Sequence, residues 1–273
     1  MLIRAGFEIA IECNTETPLM ALLSVHPSRQ ADLRTPAFIS SSGPAPLVPS
    51  IDEFGNVRTR TIAPAGVLKL ATQFLIQDSG LPDDVAPWAA EVPVAQLPDD
   101  AVSFLLGSRY CETDRLSPLA WSLFGNTPPG WARVQAIVDY VHHRLTFGYQ
   151  FARATRTAWE GHEERVGVCR DFAHLAIALC RCMNIPARYA TGYLGDIAVP
   201  VSPAPMDFSA WFEVYLGGRW FTFDARHNKP RVGRILMARG RDAADCAITT
   251  TFGQSKLVQF EIVTEEMREA SAA

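Results

Sequence analysis

Hydrophobic and polar residues alternate in short runs over the first hundred positions of the chain. Such runs occupy residues 6–13, 21–25, 56–62 and 67–76, separated by turns rich in Gly, Pro, Asn and Asp. Alternation with a period of two is typical of half-buried strands, and short strands at this spacing predict a small β-sandwich. The Pro- and Asp-rich stretch at 78–100 predicts a connection, so we expect one domain at 1–105 and a second at 106–273.

The hydrophobic spacing changes to that of helices in the second part. Residues 131–145 place Val134, Ile137, Val138, Val141 and Leu145 on one stripe. Residues 169–182 repeat the pattern with Phe172, Leu175, Leu179 and Cys182. Apolar residues recurring every three or four positions indicate amphipathic helices with one buried face. The second of these helices begins at Cys169, directly after a Gly-bearing turn.

Residues 208–226 are typical of a hairpin, because two alternating runs are joined by Gly217-Gly218. A two-residue turn fixes the register and places Phe212 opposite Phe223. The core face is then predicted to hold Ala210, Phe212, Val214, Leu216, Phe221, Phe223 and Ala225. The other face holds Ser209, Trp211, Glu213, Tyr215, Trp220, Thr222, Asp224 and Arg226. Position 209 and Asp224 lie diagonally on that face, roughly 7–8 Å apart, and we expect Glu213 and Thr222 to be a surface pair.

Composition excludes several classes of partner. The 273 residues are 48% hydrophobic and 20% charged, with a formal charge of −4 and no long basic run. These values predict a folded protein that binds neither nucleic acid nor an anionic membrane. The first residues alternate like a strand and lack the apolar run of a signal peptide, and no stretch is long enough to span a bilayer. We therefore expect a cytoplasmic protein; its oligomeric state is left open.

Six cysteines are scattered over the chain without a Cys-x-x-Cys pair, so we expect free thiols and neither a metal nor another cofactor. Cys169 differs from the others in its position. A thiol at a helix N-terminus lies near unpaired N–H groups and the positive end of the helix dipole, and both favour the nucleophilic thiolate. The alternative is that Cys169 only fills core space, as most free cysteines do.

Three segments in the same order resemble the bacterial transglutaminase-like superfamily, whose members are often described as cysteine proteases. They are Gly167-Val-Cys-Arg-Asp-Phe-Ala-His-Leu175, Ala210-Trp-Phe-Glu-Val-Tyr-Leu216 and Phe223-Asp224. The strand-rich first hundred residues, with Asp52-Glu-Phe-Gly-Asn56, are similar to the β domain that often precedes this core. Gly240-Arg-Asp-Ala-Ala-Asp245 is similar to the segment that follows it. The resemblance implies an α+β protein with a papain-like core, in which a helix-borne cysteine packs on an antiparallel sheet.

The resemblance also implies the roles of individual residues. Cys169 would be the nucleophile and Asp224 the orienting carboxylate of a Cys-His-Asp triad that acts on peptide or amide bonds. The motif reads His-Ala-Trp at the start of the hairpin, whereas this chain reads Ser209-Ala210-Trp211. A serine hydroxyl neither binds nor releases a proton near neutral pH. Loss of a triad member typically removes several orders of magnitude of rate, so we expect the chain to be impaired or inactive.

Three other histidines are candidates for the missing base. His227 would point to the core face on a continuing strand, and only a bend after Asp224 would redirect it. His174 lies more than a turn along the helix from Cys169, and His162 precedes Cys169 by seven residues.

Three functions remain open at this stage. The first is a cysteine-nucleophile acyl-transfer enzyme of peptides or amides in which Ser209 has replaced histidine. The second is a natural non-catalytic relative that binds a peptide or a protein. The third is an enzyme of different chemistry that uses Cys169 as a redox-reactive thiol.

Overall fold

The computed structural model describes residues 1–267 and has the predicted α+β class. The strands of the first part are β1 (Leu2–Cys13), β2 (Thr17–Ala21), β3 (Ser40–Ser41), β4 (Val48–Ile51), β5 (Val57–Ala63) and β6 (Gly66–Gln77). The second part contains α1 (Asp99–Val102), α2 (Thr113–Phe124), α3 (Trp131–Arg144), β7 (Thr146–Phe147), α4 (Ala158–Glu164), β8 (Val166–Gly167), α5 (Cys169–Cys182), β9 (Ala187–Tyr193), β10 (Ser209–Leu216), β11 (Arg219–Phe223), β12 (Ile235–Gly240), β13 (Thr249–Thr251) and β14 (Ser255–Glu266).

Strands β1 to β6 form two antiparallel sheets that the end of the chain completes. One sheet has the order β14-β1-β6-β3 and the other the order β13-β2-β5-β4. Both contribute buried side chains to one hydrophobic cluster. Strand β14 pairs with β1 along almost its whole length. The sheets of the first part therefore include residues from both sides of the boundary expected at residue 105. Residues 249–266, expected in the unit 106–273, belong to the sheets of the first part, and the last six residues of that unit lie outside the described range.

The third sheet, with the order β11-β10-β9-β12, carries the hairpin and lies against α5. Phe212 pairs with Phe223 and Leu216 with Arg219, so the register predicted from Gly217-Gly218 is confirmed. The whole predicted core face of the hairpin lies in the hydrophobic cluster that includes α5. The predicted apolar stripes of α3 and α5 are buried in the same cluster. Among residues 1–267, no helix is both long enough and apolar enough to cross a membrane.

A side-chain clamp joins the first part of the chain to this third sheet. Asn56 is fully buried; its amide nitrogen donates to the Arg239 carbonyl (2.7 Å), and its amide oxygen accepts from the Arg239 N–H (2.8 Å). Asp52 orients Asn56 by accepting from both its backbone N–H (2.8 Å) and its side chain (3.0 Å). One asparagine therefore satisfies both backbone groups of a residue in β12.

Asn56→Ala is expected to lower the free energy of unfolding by about 2–4 kcal/mol, because a buried N–H and a buried carbonyl of Arg239 lose their partners. Urea unfolding at pH 7 measures the change. Asn14→Ala is the matched control, since Asn14 makes one exposed contact of 3.4 Å with Gln254. Equal stability of the two variants would contradict the clamp.

Candidate active site

Cys169 is the first residue of α5, and the turn before it is built to hold it there. Residues 146–147 and 166–167 form a short parallel pair that leads the chain into the helix. The Asp171 carboxylate is buried and accepts a hydrogen bond from the Val168 N–H (2.9 Å), which caps the helix. A Cβ atom on Gly167 would lie 2.6 Å from the Asp171 Cβ, so this approach requires glycine. Asp171 therefore has the structural role expected at a helix N-terminus.

The Cys169 thiol lies under the start of β10. All six cysteines are free, and Cys169 alone among them is not fully buried as a residue. Burial of the thiol raises its pKa to about 11, although the Arg226 guanidinium and a hydrogen bond from the Ala210 N–H favour the thiolate. Asp207 and Asp224 oppose ionisation. The expectation that the helix N-terminus yields a reactive thiolate is therefore outweighed by desolvation.

In a chain that carries His227→Asn, which leaves no imidazole on Asp224, alkylation of Cys169 by iodoacetamide is expected to accelerate about tenfold per pH unit from pH 7 to pH 10, because only the thiolate reacts and the pKa is about 11. An ordinary exposed thiol levels off near its pKa of about 8.5. Peptide mapping by mass spectrometry measures the rate at Cys169, with free glutathione in the same tube as the reference. A rate that is constant below pH 9 would contradict the raised pKa.

Ser209 is the first residue of β10 and is buried. It directly precedes Ala210, whose N–H contacts the Cys169 sulfur, so position 209 lies next to the thiol. The Ser209 backbone pairs with Gly192 in β9, and its carbonyl accepts a hydrogen bond from Thr191 (3.0 Å). The position is thus rigid and close to Cys169, but its side chain is a hydroxyl rather than an imidazole.

Asp224 is buried directly after β11, where its carboxylate makes three hydrogen bonds. Oδ1 accepts from the His227 N–H (3.0 Å), and Oδ2 accepts from His227 Nδ1 (2.8 Å) and from Arg234 Nη2 (2.9 Å). Burial disfavours the charged form, but Arg234 and His227 outweigh it and hold the pKa of Asp224 below its usual range. Asp224 is therefore a carboxylate at neutral pH, and its imidazole partner is His227.

The second partner of Asp224 connects it to the segment between the two parts of the chain. Arg234 is buried and donates from Nε to both oxygens of Asp83 (3.1 and 3.0 Å) as well as from Nη2 to Asp224. Its guanidinium carbon also lies 4.9 Å from the centre of the Trp211 ring. Arg234 thus bridges the buried carboxylate of Asp224 and the partly buried carboxylate of Asp83, and its guanidinium lies over Trp211 on the second face of the hairpin.

Of the three candidate histidines, only His227 contacts Asp224. The strand ends at Phe223, so the bend that would redirect His227 is present and its ring contacts Asp224. His162 contacts Tyr140 and Arg144 instead (both 3.3 Å). His174 is fully buried and accepts from the Ala243 N–H (3.1 Å), and burial lowers its pKa far below the usual value. His174 and His162 therefore have partners away from Asp224.

Glu213 lies opposite Thr222 across the hairpin as expected, but the expected position at the surface is wrong. Glu213 is buried, and its carboxylate accepts from Arg188 Nε (2.7 Å) and from Arg239 Nη2 (3.1 Å). These arginines belong to β9 and β12, the two strands that follow the hairpin in the sheet order β11-β10-β9-β12. The second face is therefore covered and charged.

A cavity of about 710 Å³ is lined by two residues, Asp207 and Arg226, that act electrostatically on the thiol. Tyr149, Asp207, Arg226 and His227 line one side, and residues 196–206 with the end of β14 line the other. A cavity of this size holds several residues of a peptide. Within residues 1–267, no three His, Cys, Asp or Glu side chains are grouped to hold a metal.

Of the predicted site residues, Ser209 directly precedes the residue whose N–H contacts the Cys169 sulfur. Asp224 lies close enough to act on the thiol electrostatically. Sequence reasoning missed Arg234, Asp83 and Arg226, as well as the N–H of Ala210. The only available signal for Arg234 was the general requirement that a buried carboxylate be paired with a cation.

Comparison with known proteins agrees with this architecture. The core model of the transglutaminase-like superfamily matches residues 119–225. The crystal structure of a protein from Cytophaga hutchinsonii, described as a putative cysteine protease, superimposes with a TM-score of 0.82. That protein is 28% identical in sequence, and the match covers 99% of this chain and 92% of the other. The predicted transglutaminase-like fold is thereby confirmed.

Two mycobacterial proteins, both described as uncharacterized, are also similar. A protein of Mycobacterium tuberculosis is 28% identical over 225 residues, which are 74% of this chain and 70% of that protein. A protein of Mycobacterium leprae is 36% identical over 84 residues. That second match spans only 30% of each chain.

Proposed function

We propose that this chain transfers acyl groups from peptide or amide carbonyls through Cys169, on the premise that residues 119–225 match the core model of the transglutaminase-like superfamily. The observation that carries the proposal is the position of the thiol. Cys169 begins a helix, contacts the Ala210 N–H and feels the charges of Arg226 and Asp207, which line a cavity of about 710 Å³. Backbone N–H groups in the first turn of a helix have no intrahelical acceptor, and such donors stabilise the oxyanion of acyl transfer.

Ser209 makes this chain slower than one with histidine at that position. The thiol has a pKa of about 11, so few molecules carry a thiolate at pH 7. A base is needed to remove the proton as the sulfur attacks the carbonyl carbon. The Ser209 hydroxyl does not accept that proton near neutral pH. The similarity to the Cytophaga hutchinsonii protein supports a protease or amidase, whereas transfer to an amine remains the other outcome of the same chemistry.

Trapping of the acyl-enzyme tests the proposal. The protein is incubated with a set of peptide 4-nitrophenyl esters, quenched in acid and digested, and the peptide that contains Cys169 is weighed. A mass increase equal to the acyl group, absent in Cys169→Ala, is the expected result. The other five cysteines are buried and serve as internal controls. Equal release of nitrophenolate by the wild type and by Cys169→Ala would show that Cys169 is not the nucleophile.

Peptide binding without catalysis is the second candidate, favoured by Ser209 and by the high pKa of the thiol. In that case Cys169→Ala binds the same peptides with unchanged affinity, and no acyl adduct accumulates on the wild type. A redox role is less consistent with the site, because oxidation-sensitive cysteines have low pKa values.

A further inference from the structure

The Asp224 carboxylate already holds an imidazole, although that imidazole does not come from position 209. His227 donates its backbone N–H to Oδ1 and places Nδ1 2.8 Å from Oδ2. An imidazole bonded to a carboxylate through Nδ1 has a fixed orientation and leaves Nε2 available for proton transfer. This is the contact that a Cys-His-Asp triad requires of its histidine.

The turn that carries His227 is anchored on several sides. The Asn228 N–H donates to the Asp224 carbonyl (2.8 Å), and the Asn228 side chain contacts Asp139 (2.9 Å) and Gln135 (3.0 Å) on α3. His142, also on α3, contacts the Ala225 carbonyl (3.1 Å). Because the turn is held at Ala225 and at Asn228, on either side of His227, the ring of His227 is preorganised against Asp224.

His227 also belongs to the wall of the cavity described above. It lines the cavity together with its neighbour Arg226 and with Asp207, and both of these act electrostatically on Cys169. The His227 side chain is 20% exposed, so the ring is held but accessible to a ligand.

We propose that His227 supplies the imidazole that position 209 lacks, which makes Cys169, His227 and Asp224 the working set. The step rests on the proposed function. The Cys169 S–H proton passes to His227 Nε2, directly or through one water, as the S–C bond forms. The same proton then passes to the leaving amine or alcohol as its bond to the carbonyl carbon breaks. In the second half of the reaction, deacylation, water or an amine attacks the acyl carbon and gives its proton to Nε2. The bond between sulfur and the acyl carbon then breaks, and the sulfur takes the proton back from Nε2.

The charged and titratable groups around His227 define what a pH profile reports. Asp224 contacts the ring, with Arg234 on the far side of that carboxylate. The cavity wall adds Tyr149, Asp196, Asp207, Arg226, Glu265 and Glu266. A base in the transition state becomes ineffective when it is protonated, so the wild-type rate should fall at low pH and level off once the imidazole is neutral. Without His227 the rate should keep rising with pH, because the thiol must then ionise by itself.

The test uses acetylation of Cys169 by 4-nitrophenyl acetate in four proteins: wild type, His227→Asn, Ser209→His/His227→Asn and the control His143→Asn. His143 is exposed; its Nδ1 lies 2.7 Å from the Asp139 carbonyl of its own helix, and its ring packs against that of His142. We expect His227→Asn to lose roughly 10²-fold in Cys169-dependent rate at pH 7 together with the plateau in the pH profile. The control should retain both, and the double variant should regain both.

Recovery in the double variant shows that His227→Asn is folded, and His227→Gln with its unfolding midpoint provides a second check. If His227→Asn keeps the rate and pH profile of the wild type, the inference is overturned. In that event a gain in Ser209→His would still support acyl transfer by Cys169. If instead Cys169→Ala is as fast as the wild type, the proposed function itself fails.

Discussion

Replacement of Ser209 by histidine is expected to raise the rate of Cys169 acylation roughly 10²- to 10⁴-fold in a chain that also carries His227→Asn. Position 209 directly precedes the residue whose N–H contacts the thiol, and it lies on the same face of the hairpin as Asp224. An imidazole there can take the thiol proton and donate to Asp224. In the wild-type background the gain is smaller, because Asp224 already holds the imidazole of His227.

The Asp224 carboxylate has an acceptor position left for this hydrogen bond. Asp224 Oδ1 accepts one hydrogen bond and Oδ2 accepts two, whereas an ionised carboxylate has about four acceptor positions. The added histidine therefore does not have to displace Arg234. It should also shift alkylation of Cys169 to lower pH, since an imidazolium beside the sulfur favours the thiolate.

Ser209→Ala is the matched control, because it removes the hydroxyl without adding a base and should leave the acylation rate unchanged. Cys169→Ala in the Ser209→His background should show no acylation at residue 169. Rates are measured by stopped-flow release of nitrophenolate between pH 5 and pH 10. If neither the acylation rate nor the pH dependence of alkylation changes in Ser209→His, then position 209 is not the base position of this site.

The hairpin shows how far local sequence predicts this site. Gly217-Gly218 sets the loop length, the loop length sets the register, and the register assigns every residue to a face. What covers each face depends on other strands. Glu213 alternates like a surface residue, yet it is buried and paired with Arg188 on β9 and Arg239 on β12. No pattern within β10 contains that information.

Contacts between distant parts of the chain are unpredictable for the same reason. Pairing of β14 with β1 joins residues about 250 positions apart, and nothing in either strand specifies the partner. The contact of His227 with Asp224 depends on where β11 ends. Alternation predicts strand faces but does not reveal that the strand stops at Phe223 and turns.

Arg234→Met is expected to lower the free energy of unfolding by about 3–5 kcal/mol at pH 7, because it leaves the buried Asp224 and the partly buried Asp83 without their shared cation. Arg234 contacts Asp83 through Nε and Asp224 through Nη2, and it is 8% exposed. Burial already raises the pKa of Asp83, and Arg234 opposes that rise. Without the arginine, desolvation dominates at both carboxyls.

The loss of stability in Arg234→Met should become smaller as the pH falls. In the wild type the pKa of Asp224 is lowered by folding, so this group contributes stability above its unfolded pKa and loses it as the pH falls. In Arg234→Met the pKa values of both carboxyls should lie above their unfolded values. Each then binds a proton more tightly in the folded protein, which stabilises the variant in acid. The difference in stability between wild type and variant is therefore expected to shrink from pH 7 to pH 4.5.

Arg219→Met is the matched control for this prediction. Arg219 on β11 forms an ion pair of 2.9 Å with Asp84, the neighbour of Asp83, but both side chains are more than half exposed. Exposed pairs contribute at most about 1 kcal/mol, so this variant should unfold almost like the wild type at either pH. Urea unfolding of the three proteins at pH 7 and pH 4.5 gives the comparison. A loss in Arg234→Met that is no larger than the loss in Arg219→Met would mean that Arg234 does not hold Asp224 in place.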